Sequence, residues 1–344
     1  MADKQQQFGI YGCQHGHIET FIMEMLGLGW SCVGIYDPDE PELAHLLSAK
    51  YGIPLLREEA ELRGASVRVI GSSAVNGSKL DVIEWCERNR KHVMLDKPIV
   101  TDRARLERLE AVMRRGEIEV GMLLTERFRP AIFTLKQALD AGELGKPVSL
   151  TLRKPHRLRP ETRHAWHFSK ERNGGLILDL FVHDFDLLRW LSGQEIAAIQ
   201  SQKAKHIMPE HPDFYDTASA QVMMSGGLLA QLYTDWHTPR LSWTWGDCRL
   251  FVTGTQGCAE LRLCGDPAVG LQEELYFQIT SDQPFQQQEL VAPAVNITED
   301  FLARIDRRPS VLTARDVLET CRASVLADEG AVEFNAFHDK GATV

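Results

Sequence analysis

Between residues 8 and 124 short apolar runs alternate with amphipathic stretches of ten or more residues, and few architectures accept that rhythm. The apolar runs are "FGIYG" (8–12), "SCVGIYD" (31–37), "VRVIGSS" (67–73), "HVMLD" (92–96) and "IEVGMLL" (118–124). Between them lie the helical stretches "IETFIMEMLGLG", "PELAHLLSAKYG" (41–52, ending on a C-cap glycine), "KLDVIEWCERNR" (79–90) and residues 102–115. Strands separated by helices of this length form βαβ units, because a parallel partner can be reached only by a crossover. The first 124 residues are therefore predicted to be a doubly wound parallel sheet. After residue 124 the rhythm breaks. A helix (130–141) leads to the strand "VSLTLRK", and a long helix, "GGLILDLFVHDFDLLRWLSG", follows. The strands "TASAQVMM" and "LLAQLYTDW" then form a hairpin through Ser225-Gly226-Gly227, and "DCRLFVTG" and "GCAELRL" add two more. Residues 125–344 are expected to be an α+β domain with a large, open, mostly antiparallel sheet. Its closing helix, over 313–329, can pack back on the first domain.

With 344 residues the chain is too long for one ordinary core and suits two. A formal net charge of −10 leaves no electrostatic footprint for nucleic acid. "MADKQQQFGI" lacks the apolar core of a secretory signal, and no apolar run approaches the roughly 20 residues that span a bilayer. The seven cysteines are scattered and contain no C-x-x-C pair, so neither a disulfide framework nor a zinc knuckle is expected. These features point to a soluble protein of the reducing cytoplasm.

"GIYGCQHGH" (9–17) joins the first strand to the first helix, where a dinucleotide fingerprint, G-x-G-x-x-G, belongs. Gly12 fills its first position, but Gln14 holds the second and His17 the third, while Gly9 and Gly16 keep the region glycine-rich. On its own the stretch reads equally well as a turn without a ligand. Asp37 tips the balance: it ends the second strand about 20 residues farther on, where a carboxylate accepts bonds from an adenosine ribose. It would also repel a 2′-phosphate, which favours NAD over NADP.

Lys97 ends the fourth strand, directly before Pro98, and proline holds the preceding residue out of the helical region. In the long helix, Asp179, His183 and Asp186 stand at i, i+4 and i+7 and form one polar stripe on an otherwise apolar surface. A buried stripe of that kind must meet partners or a polar cleft. Asp179 can orient the His183 ring, and a purely structural hydrogen bond is the competing reading.

Taken together, "MLDKPIV", "NGGLILDLFVHDFDLLRWLSG", "ERFRPAIFTLKQALDAGELGKPVSL", "FVTGTQGCAEL" and "TARDVLETCRASVLADEGAV" resemble, in order and spacing, the glucose–fructose oxidoreductase / inositol dehydrogenase / MocA family of nicotinamide-dependent enzymes. The resemblance implies a Rossmann domain followed by a substrate-binding and oligomerising domain, and oxidation of a secondary alcohol on a sugar or cyclitol. It makes Lys97, Asp179 and His183 the catalytic set, with His183 as general acid/base, Lys97 as donor to the carbinol oxygen and Asp179 as orienter. The implied cofactor-binding set is Gly9, Gly12, Gln14, His15, Gly16, His17, Asp37, Ser72, Ser73, Asn76, Asp96 and Lys97. Three departures stand out: Asp96 replaces a glutamate, Gln14 a glycine, and Lys79 stands about where a histidine is usual. Family members pair through the sheet of the second domain, so a homodimer or homotetramer is expected.

"RKPHRLRPETRHAWHF" (153–168) and "YTDWHTPRLSWTW" (233–245) supply Arg163, His164, Trp166, His167, Trp236 and His237 as candidate substrate contacts. Indole faces stack on sugar rings, and arginine binds hydroxyls or a carboxylate. A catalytically weak nicotinamide or sugar sensor and an NAD-dependent glycosidase remain alternatives. His164, His167, Asp179, His183 and His237 fit no metal spacing, so no metal is expected.

Overall fold

A computed structural model describes residues 6–39, 41–268 and 273–337. The chain divides into two compact units. The first comprises residues 1–124, 171–174 and 295–322; the second comprises 125–170, 175–294 and 323–344.

The first unit begins with β1 (Gln7–Cys13), α1 (Ile18–Gly27), β2 (Ser31–Tyr36), α2 (Glu42–Tyr51), β3 (Val67–Ser73), α3 (Lys79–Arg88), β4 (His92–Leu95), α4 (Arg103–Arg115) and β5 (Val120–Met122). All five strands are parallel, in the order β2-β1-β3-β4-β5. A sixth parallel contact is reduced to one bridge at the edge, Leu55 beside Ile35, with Ile35 N–H on Pro54 O (2.8 Å) and Leu56 N–H on Ile35 O (2.8 Å). Counting that bridge, the order becomes the Rossmann one, whose switch point lies between the carboxyl ends of β1 and β3.

In the second unit α5 (Pro130–Asp140) precedes β6 (Pro147–Arg153); the short α6 (Lys170–Asn173), which falls in the first unit from residue 171 on, is followed by α7 (Leu176–Ser192) of the second. Then come β7 (Ile196–Lys205), β8 (Thr217–Met224), β9 (Leu229–Asp235), β10 (Arg249–Gly254), β11 (Gly257–Arg262), β12 (Leu275–Thr280) and β13 (Gln286–Gln287). Helices α8 (Ile297–Ile305) and α9 (Ala314–Glu329) and strand β14 (Val332–Asn335) close the chain. Helix α8 belongs to the first unit, and α9 is divided between the units after Arg322. The nine-stranded sheet runs β13-β12-β11-β10-β6-β9-β8-β7-β14 and is antiparallel except at β6–β9 and β7–β14. Helices α5 and α7 cover one face, and Ile132, Leu135, Phe181, Phe185, Leu152 and Leu232 pack between helix and sheet. Among the described residues no helix is long and apolar enough to cross a membrane.

Candidate functional site

The loop after β1 is shaped by Gly12, at φ +79°. A Cβ there would lie 2.5 Å from the Ala74 Cβ and 2.8 Å from its Cα, so only glycine lets the ends of β1 and β3 approach this closely. Gly9 does not belong to this loop. It lies within β1, and a side chain there would strike Leu62 at 2.4 Å, so its smallness serves packing.

Gln14, which replaces the second glycine, folds away from the loop. Its N–H bonds Ser73 O (2.8 Å), and its Nε2 donates to Asp37 Oδ2 (2.7 Å). The same oxygen accepts the Cys13 N–H (3.0 Å), and Asp37 Oδ1 accepts the Asp39 N–H (3.1 Å). Burial pushes the Asp37 carboxyl above its ordinary value against these donors. Asp37 is thus a strut for the loop as well as a carboxylate at the end of β2. The N–H groups of His15 and His17 make only long contacts, 3.3 Å to Ser73 Oγ and 3.5 Å to His15 Nδ1. Gly16 has open space where a Cβ would stand, just ahead of α1. These residues fit a dinucleotide, with turnable backbone donors for the pyrophosphate and a carboxylate for the ribose.

Beside them Asp96 is an electrostatic hub. Its carboxylate oxygens lie 3.1 Å from His15 Nδ1 and 3.0 Å from His17 Nδ1, and Oδ1 accepts the Lys97 N–H at 2.8 Å. Burial opposes its ionisation, yet His17, His15 and Lys79 hold the carboxyl well below its usual range. Burial in turn lowers His15 despite Asp96. Lys79 is wholly buried, and its ammonium donates to Asn76 Oδ1 (2.8 Å), Asp96 O (2.8 Å) and Pro98 O (3.1 Å). The ammonium, placed where the resembling family has a histidine, therefore ties down the turn that carries Lys97. Asn76 also donates to Asn173 O (2.9 Å), while Ser72 O accepts the Asp96 N–H (2.8 Å).

In the second unit Asp179 and His183 stand one turn apart on α7. Asp186, the third member of the expected stripe, is a structural partner instead. Arg127 grips it with Nε–Oδ2 at 2.8 Å and Nη2–Oδ1 at 2.6 Å, both side chains being 1% exposed. Three residues escaped the sequence reading. Lys154, after β6, lies 2.9 Å from Asp184 Oδ1 and 3.7 Å from Glu126 Oε2. Burial raises Asp184 to about 6 in spite of Lys154. Glu126 falls to about 2 against its burial, drawn down by Lys154, Arg129 and His183. A buried charge cluster thus reaches the electrostatic surroundings of His183. Lys154 precedes Pro155 at a strand end, the same local signal that singled out Lys97.

Of the expected substrate residues, the second unit gathers Arg163, His167 and Trp236. The Arg163 guanidinium lies 4.8 Å from the Trp236 ring centre and 3.4 Å from His167 Nδ1, and its charge interacts with Asp179. Trp166 packs edge-on to His167 (6.0 Å), and His164 O accepts the His167 N–H (3.0 Å). His237 goes elsewhere: its Nε2 lies 2.9 Å from Asp216 Oδ1, beside His206.

Residues 132–260 match the model of the GFO/IDH/MocA C-terminal domain. That stretch is therefore similar to the C-terminal domain of the GFO/IDH/MocA family. Among curated relatives, inositol 2-dehydrogenase 2 of Saccharopolyspora erythraea is 28% identical over 229 residues, 65% of each chain. Inositol 2-dehydrogenase of Rhizobium meliloti is 24% identical over 63% of this chain and 64% of its own. The match therefore spans just under two thirds of these relatives. The scyllo-inositol 2-dehydrogenase (NAD(+)) of Bacillus subtilis is 28% identical over 70% of this chain and 68% of its own. The fold is shared with a putative oxidoreductase from Erwinia carotovora (TM-score 0.86, 22% identity, 95% and 99% of the two chains). It is shared too with an aldose-aldose oxidoreductase from Caulobacter crescentus (TM-score 0.77, 18% identity, 94% and 97%).

Proposed function

We propose that the protein is an NAD-dependent oxidoreductase that moves a hydride between nicotinamide and the carbinol or ketone carbon of a sugar, cyclitol or related polyhydroxylated molecule. The Asp179/His183 pair on α7 carries this reading. The two stand one helical turn apart, a spacing at which a carboxylate can orient an imidazole, and in this reading His183 takes the hydroxyl proton during oxidation and returns it during reduction. Lys97 donates to the carbinol oxygen and stabilises the developing alkoxide. Its backbone is held by the Asp96 carboxylate and by the Lys79 ammonium on the neighbouring carbonyls, so Lys79 is a positioning residue. Arg163, His167 and Trp236 bind the hydroxyl-rich substrate through guanidinium, imidazole and an indole face.

Asp37 supports NAD over NADP, since a carboxylate at the end of β2 repels a 2′-phosphate. The names of the inositol dehydrogenase relatives support a cyclitol or sugar. For assembly, the reading includes a homodimer or homotetramer built on the large sheet, whose strands expose Val148, Met223, Leu229, Phe251 and Ile279.

The test is NADH formation by the purified protein across myo-inositol, scyllo-inositol, aldoses and sugar acids, alongside simple aliphatic alcohols. Turnover of at least one polyol, lost in His183→Asn and Lys97→Met with NAD binding kept, is expected. NAD binding without turnover of any polyol, or preference for aliphatic alcohols, overturns it.

A further inference from the structure

We infer that His206, Asp216 and His237 form a binding site for a zinc-type divalent cation at one rim of the second unit's sheet. The three residues stand at the ends of adjacent strands: His206 directly follows β7, Asp216 directly precedes β8, and His237 lies two residues beyond β9. Ladder bonds lock their backbones side by side, with the Asp216 N–H on Ala204 O (3.0 Å) and the Trp236 N–H on Asp216 O (2.9 Å).

The carboxylate is aimed before any ion arrives. Asp216 is fully buried, and its Oδ2 accepts the N–H groups of His206 (2.6 Å) and Ile207 (2.9 Å). That leaves Oδ1 facing both imidazoles, 2.9 Å from His206 Nδ1 and 2.9 Å from His237 Nε2, with the Thr217 hydroxyl at 3.0 Å. All three donor atoms lie within 4.8 Å of one another. Ligands about 2.0–2.2 Å from a tetrahedral zinc stand somewhat over 3 Å apart, so each ring need retreat only by tenths of an ångström. Both rings have room to do so, since their side chains are 47% and 39% exposed. The same exposure leaves a coordination position for water, and it lets each imidazole carry its proton on the nitrogen that faces away from the ion.

Two imidazoles and a carboxylate suit zinc, cobalt, nickel or copper rather than calcium or magnesium. Held there, the ion would add a clamp across three strand ends that ladder bonds already hold side by side. The site lies apart in sequence from the residues assigned to hydride transfer, and its occupancy does not depend on any turnover of polyols.

The test is titration of zinc into the EDTA-treated full chain by calorimetry, with cobalt as a visible-absorption probe and thermal unfolding as a second readout. A second ring–carboxylate group, His15, His17 and Asp96, could bind the same ions, so two double variants are compared. Wild type and His15→Ala/His17→Ala should each bind one ion at this rim, with a tetrahedral cobalt spectrum and a zinc-dependent rise in unfolding temperature. His206→Ala/His237→Ala, whose replaced rings are half exposed, should fold yet lose binding by at least roughly tenfold, a loss already seen on removing outer-sphere partners. Failure of the wild type to bind at millimolar zinc, unchanged binding in His206→Ala/His237→Ala, or loss confined to His15→Ala/His17→Ala would each overturn the assignment.

Discussion

Replacing Lys154 by methionine keeps the bulk of the side chain and removes its charge. In the native fold this ammonium stands 2.9 Å from Asp184, whose side chain is 1% exposed, and 3.7 Å from Glu126. Glu126 keeps Arg129 at 3.5 Å, so the uncompensated charge falls on Asp184. Removing one partner of a buried pair costs about 3–5 kcal/mol, because the other ion stays out of water. Asp184 also sets a pH dependence. Burial raises its folded-state pKa from 3.8 to about 6, so its stabilising contribution is complete below 3.8 and lost as pH rises through 6. At 1.36 kcal/mol per unit, that window is worth roughly 3 kcal/mol. Glu126 slopes the other way: its folded value falls from 4.5 to about 2, so its contribution is present above 4.5 and lost as pH falls through 2. Urea unfolding between pH 5 and 8 therefore separates Asp184 from Glu126, and the comparison of variant with wild type removes the shared contributions of His15, His92 and Cys264, whose values are also shifted. Lys154→Met should lose about 3–5 kcal/mol at pH 8 and recover part of it at pH 5, where Asp184 can accept a proton. Lys154→Met/Asp184→Asn should recover most of the loss at both pH values. A single variant within 1 kcal/mol of wild type, or a double variant no more stable than the single, would refute the argument.

Asp186→Asn should cost about 3 kcal/mol in urea unfolding by leaving the Arg127 guanidinium buried without its carboxylate, and Arg127→Met/Asp186→Leu should regain much of it. Gln14→Ala removes the amide that braces Asp37 and should weaken NAD binding several-fold by calorimetry. Unchanged affinity would mean that the brace is irrelevant to the loop. Asp37→Ser should narrow the preference for NAD over NADP by roughly tenfold in kcat/KM, read as the ratio for the two cofactors. Phe251→Glu on the open face of the large sheet should dissociate the proposed oligomer in sedimentation, without loss of helical circular dichroism.

The parallel sheet was legible because its strands are buried apolar runs and its helices are long and separately patterned. The strands that escaped notice break that pattern for a physical reason. Along β7 the buried positions are Ser201, Lys203 and Lys205 rather than aliphatic residues, so alternation of apolar and polar disappears from "IAAIQSQKAK". Lys205 meets its burial by donating to Met208 O (2.8 Å) and Phe214 O (2.9 Å), and Lys203 by pairing with Asp328 (3.3 Å) and Glu333 (3.0 Å). None of these partners lies within the strand, so no window of sequence displays the compensation. Helix α8 is a different case. Its capping box, Asn296 with Glu299, is a local and readable signal that marks the helix start.

Two lysines show how far a local signal reaches. Lys97 and Lys154 each stand just past a strand end, immediately before a proline, and each is buried. The proline fixes the backbone in both places, and a local difference is the Asp96 carboxylate directly before Lys97, where Arg153 precedes Lys154. The rest of the difference comes from residues farther along the chain. Lys154 is held by Glu126 and Asp184, two carboxylates brought in by other elements, and is thereby committed to an ion pair. The backbone of Lys97 is held by the Asp96 carboxylate and the Lys79 ammonium, which fix the conformation of its turn. A strand-terminal lysine is therefore a position at which chemistry can be placed, and the partners that the fold delivers decide whether it becomes a strut or, as proposed for Lys97, a donor to substrate.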